Sequence, residues 1–83
     1  MTDTDIVDGV IEVIALNSRY SVQAIQPHDP LDKFISSAMK SRLAREIKRR
    51  FPCTRSTELT NELYVTIKSV QQLIDAVQSD CAS

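Results

Sequence analysis

Residues 37 to 51 read SAMKSRLAREIKRRF, and the spacing within this stretch decides the fold class. Met39, Leu43, Ile47 and Phe51 fall four apart, with Ala44 beside them and charged residues on most of the remaining positions. A strand would alternate every second residue, whereas this interval returns to one face of a helix. Pro52 follows directly and cannot continue a helix. The stretch is therefore expected to be a helix whose apolar stripe packs on a core. Ser36 or Ser37 is suited to cap its start. The basic last turn suits the negative end of the helix dipole, and Glu46 is placed to pair with Arg50 one turn on.

Working outward, residues 4 to 17 carry Ile6, Val7, Val10, Ile11, Val13, Ile14 and Leu16 at three- and four-residue spacings, the pattern of a helix with a wide buried face. Thr2, Asp3 or Thr4 can cap it. Gly9 costs about 1 kcal/mol relative to alanine inside a helix, so its presence suggests a close helix contact. Residues 18 to 36 contain Pro27 and Pro30 among polar residues and form a long loop. Val22, Ile25, Leu31, Phe34 and Ile35 are expected to pack it down. Residues 56 to 65, with Leu59 and Leu63 four apart, make a short helix. Ser69 to Gln72 is a capping-box pattern, and Val70, Leu73, Ile74 and Val77 give the last helix one apolar face. The polar tail after Gln78 is expected to fray.

The chain has 83 residues, one glycine, no tryptophan and four aromatic rings. One small core is the limit at this length, which leaves little room for a deep catalytic pocket. A single all-α domain over residues 1 to 83, with its core at about 4 to 78, follows. No apolar run approaches the ~20 residues that span a bilayer, and no signal-like segment opens the chain. A soluble, cytoplasmic protein is expected. Cys53 and Cys81 are too few for a zinc site. In a reducing compartment they would be free thiols; a single disulfide between them is the alternative. His28, between two prolines, is expected to be a solvated loop residue with no catalytic partners.

The order of these elements, and the apolar residues six, ten and fourteen positions after Ser37 (Leu43, Ile47 and Phe51), resemble the acyl carrier protein family. The likeness is to the carrier domains of polyketide synthases and covers roughly residues 4 to 78. Asp29-Pro30-Leu31 is similar to the family's approach to its motif, and the stretch from Ile67 to Ile74 to the start of its last helix. The family's Asp-Ser-Leu motif stands here as Ser36-Ser37-Ala38, with Phe34 in place of a glycine and Ser41 in place of an apolar residue.

The resemblance implies a four-helix bundle of three long helices and one short one, with the long loop between helices one and two. It implies a non-catalytic, monomeric carrier of acyl or polyketide intermediates. These would be held as thioesters on a 4'-phosphopantetheine arm joined to Ser37 through a phosphodiester. A serine at a helix start lies beside backbone N–H groups that favour a phosphate. A phosphopantetheinyl transferase would attach the arm, and a ketosynthase and an acyltransferase would be partners. The second helix would be the docking surface, through Lys40, Arg42, Arg45 and Arg49. One alternative is a degenerate carrier-like domain that has lost the arm and serves as a docking or structural module. A second is a helical nucleic-acid-binding domain. Against the latter stand the absence of a stacking platform and a net charge of −1.

Overall fold

The computed structural model describes residues 2 to 54 and 56 to 82, without the side chains of residues 56 and 57. Residues 1, 55 and 83 of the expected domain lie outside the described residues. Four helices run in the order α1 (Asp3–Leu16), α2 (Lys40–Arg50), α3 (Ser56–Val65) and α4 (Val70–Cys81), and no strand occurs among the described residues. The mainly helical class expected from the spacings is observed. α3, at 10 residues, is nearly as long as α2 at 11, so the expected contrast between long and short helices is slight.

Each helix end is explained by local chemistry. Thr2 caps α1: its hydroxyl accepts from the Asp5 N–H while the Asp5 carboxylate accepts from the Thr2 N–H. The Thr2 backbone N–H, and after it the Thr2 side chain, hydrogen-bond to the Asp5 carboxyl and hold it below its ordinary range. Ser69 and Gln72 form the same box at α4. The next amides of α4 are satisfied by the long loop, since Val70 N–H donates to the Asp29 carbonyl at 3.1 Å and Gln71 N–H to that of Pro27 at 2.8 Å. Leu31 N–H donates to the Lys68 carbonyl at 2.9 Å, completing a short antiparallel bridge between Pro30 and Ser69. The loop is thus sewn to the start of α4. It also contains 3-10 turns at Val22–Ala24 and Leu31–Lys33.

Ile25, Leu31, Phe34 and Ile35 are buried, as their apolar character suggested, whereas Val22 is exposed. Its turn lifts it off the core. The core is one cluster joining these loop residues to Val10 and Ile14 of α1, Leu43, Ile47 and Phe51 of the second helix and its end, Leu63 of α3 and Leu73 and Val77 of α4. Gly9 faces the ring of fully buried Phe51. A methyl group at Gly9 would meet Cζ of that ring, with Cε2 and Cε1 at 3.2 and 3.3 Å, so the glycine marks the close α1–α2 contact its position suggested.

Three expectations are corrected. The cysteines are not free: Cys53 and Cys81 are joined, with Cα atoms 5.2 Å apart across a separation of 28 residues. A bond closing a loop of this size restricts the unfolded chain, worth about 3.6 kcal/mol in the chain-entropy relation. The tail does not fray after Gln78, because α4 continues to Cys81 and is tied there. Glu46 pairs with Arg49 at 3.6 Å rather than with Arg50, which reaches across to Glu12 of α1 at 3.8 Å.

Candidate functional site

The chain approaches α2 through a single 3-10 turn, Ser37–Met39. Met39 N–H donates to the Ser36 carbonyl and Lys40 N–H to that of Ser37. Neither serine side chain caps the helix; Ser36 precedes the turn with no cap hydrogen bond, and α2 itself starts after Met39. The expected serine N-cap is therefore not formed, because the tighter turn lets the carbonyls of Ser36 and Ser37 take up these amides directly. The N–H groups of Ser37 and Ala38, at the head of the turn, have no acceptor within a helix.

Ser36, Ser37 and Ala38 are all exposed, and the Ser37 hydroxyl makes no hydrogen bond among the described residues. Its backbone, by contrast, is fixed from several directions. Tyr64, near the end of α3, donates its hydroxyl to the Ser37 carbonyl at 2.9 Å. Lys40 turns inward to pair with Asp32 of the loop at 3.2 Å and lies 5.7 Å from the centre of the Tyr64 ring. Loop, α2 and α3 thus converge beneath Ser37 and leave its side chain facing water.

The four cations expected on a docking face do not share one. Lys40 is buried at 5% exposure, while Arg42, Arg45 and Arg49 are exposed. The reason is visible in the spacing: Lys40 stands three, four and seven positions before buried Leu43, Ala44 and Ile47, on the core stripe. Arg42, Arg45 and Arg49 recur on the opposite side. Arg42 and Arg45 have no carboxylate within salt-bridge distance among the described residues, whereas Arg49 holds Glu46. Lys40→Ala should therefore lower stability by about 1 to 2 kcal/mol through lost packing of its stem. Arg45→Ala should change it by under about 0.5 kcal/mol. Urea unfolding of the two variants checks the assignment.

A shallow hollow of about 260 Å³ lies beside this site, lined by Leu16, Asn17, Ser18, Arg19, Met39 and Arg42. A second, of about 320 Å³, opens between α3 and α4 over Ile67 and Ala76, with Glu62 and Asp75 at its rim. Sequence reasoning did not single out Tyr64, Asp32 or the hollow at Leu16, since each depends on residues brought together only by folding. His28 is a loop residue with a largely exposed ring 3.8 Å from Asp29. No helix among the described residues is long and apolar enough to cross a membrane. Compared with models of known protein families, with curated protein sequences and with solved structures, the chain returned no match.

Proposed function

We propose that this chain is a non-catalytic acyl carrier that bears a 4'-phosphopantetheine arm on Ser37. The observation that carries the reading is the Ser37 turn: an exposed, unbonded hydroxyl on a backbone held by Tyr64 and the start of α2. A transferase needs that combination, because it must reach the hydroxyl while recognising a defined turn around it. No general base is required of the carrier itself, since the transferase supplies the chemistry. The arm's thiol would then hold acyl or polyketide intermediates, and the domain would present them to a ketosynthase and an acyltransferase. We place the carrier in the cytoplasm as a monomer. Incubation with coenzyme A and a promiscuous transferase, followed by peptide mapping, tests the reading: the arm should be found on the peptide containing Ser37 and on no other.

Docking belongs to the exposed face of α2. Arg42 and Arg45 have no carboxylate of their own to satisfy them, so an acidic partner surface gains their interaction without first breaking an ion pair. Replacing Arg45 and Arg49 with glutamate should slow acyl transfer to or from a partner enzyme at low salt, while circular dichroism remains helical. Unchanged transfer rates would remove this face from the docking surface. Salt-sensitive binding of DNA or RNA that the same change abolishes would favour the nucleic-acid reading instead.

A further inference from the structure

The Cys53–Cys81 bond joins the turn after α2 to the last turn of α4, and it is open to attack. Cys53 is exposed and Cys81 only half-buried, so a thiolate can approach from solvent; exposed disulfides are the labile ones. A cation is held next to Cys53 in the chain, and a hydroxyl lies by the Cys81 sulfur. Lys48 Nζ donates to the Pro52 carbonyl at 2.6 Å, which holds a cation one residue from Cys53. Thr54, fully buried, places Oγ1 4.0 Å from Cys81 Sγ.

The bond lies, moreover, at the root of α3. Cys53 precedes that helix by three positions, and Tyr64, near the helix's far end, holds the Ser37 carbonyl. What fixes the start of α3 therefore bears on the turn at Ser37.

We propose that Cys53–Cys81 is a redox-labile clasp: a dithiol reductant opens it in the folded protein, loosening α3 and its Tyr64 contact with the Ser37 turn, and reoxidation closes it again. The exchange proceeds in two displacements. A thiolate of the dithiol attacks the Cys53 sulfur; the S–S bond breaks with its electron pair on Cys81, where the Thr54 hydroxyl can donate. The dithiol's second sulfur then displaces Cys53, which departs as a thiolate. The reductant leaves as its own disulfide, and its two protons end on the two cysteines. In a reducing compartment such bonds are usually transient and redox-sensing. The inference needs only the cysteine pair and α3, and stands apart from whether Ser37 carries an arm.

The experiment uses the full chain, purified without reductant. Free thiols are counted by alkylation and intact mass before and after dithiothreitol in native buffer, and hydrogen exchange is followed on peptides from α1, α3 and the Ser37 turn. The expected result is no free thiol before and two after, with helicity retained. Exchange should then rise severalfold in α3 and at residues 36 to 40 but little in α1. Cys53→Ser should show the fast exchange without reductant; should that variant not fold, the reduced wild-type chain gives the same reading. Two free thiols in the air-oxidised chain, a bond that opens only in denaturant, global unfolding on reduction, or unchanged exchange in α3 would each overturn the proposal.

Discussion

Phe51→Ala should destabilise the domain by about 3 to 5 kcal/mol, as truncating a buried aromatic does. That is a large share of the ~4 to 12 kcal/mol expected for a chain of this length. Phe51 is fully buried and its ring faces Gly9, so its loss opens a cavity at the contact between α1 and the end of α2. The same geometry fixes the sign of a second change. Alanine is the better helix former by about 1 kcal/mol, yet Gly9→Ala should lower stability, by up to about 2 kcal/mol net. The added methyl would overlap the ring, and overpacking of this kind costs about 1 to 3 kcal/mol. In a Phe51→Leu background the same Gly9→Ala change should become neutral or stabilising, because the ring carbons it meets are gone. Urea unfolding of the four proteins checks this coupling. A stabilising Gly9→Ala in the wild-type background would mean that the ring does not lie there.

Ser37→Ala should abolish attachment of phosphopantetheine while leaving the helical spectrum and the unfolding midpoint nearly unchanged. The hydroxyl is exposed and makes no hydrogen bond among the described residues, so its removal leaves no buried group unsatisfied. Ser36→Ala is the matched control. Its side chain does not cap the turn, so the ~1 kcal/mol that a true cap would cost is not expected, and attachment should persist. Loss of attachment in both variants with the fold intact would indicate that the transferase reads the Ser36-Ser37 pair, whereas attachment surviving in Ser37→Ala would place the arm on another residue.

Much of the architecture was legible in the residue spacing because helices repeat their apolar faces in sequence. The row Leu43, Ile47 and Phe51 is buried as read, Gly9 does sit at a close contact, and the Ser69–Gln72 box forms. What escaped the reading depends on long-range placement. Nothing local brings Cys53 to Cys81; the pairing follows from α4 returning past the α2–α3 turn. A clue did exist, since Cys81 falls four positions after Val77 and extends the α4 stripe beyond Gln78. Lys40 was likewise grouped by charge with the arginines although its position aligns it with Leu43, Ala44 and Ile47. A lysine can obey that alignment when a carboxylate such as Asp32 and a ring such as Tyr64 receive its end. At the candidate site, spacing put Ser37 at the head of the second helix, but the 3-10 turn that carries it and the Tyr64 contact that holds it arise from tertiary packing.

The intact mass of the wild-type chain after incubation with coenzyme A and a promiscuous transferase, beside an ordinary carrier in the same reaction, addresses the carrier claim most directly. A variant with Ser36→Asp and Ala38→Leu accompanies it, because these two positions differ from the family's motif. The account predicts that the wild-type chain gains one phosphopantetheine group. Attachment to the restored variant alone would contradict carriage by this chain and leave a carrier-like docking module. If neither protein is modified while the ordinary carrier is fully converted, the carrier account itself is contradicted.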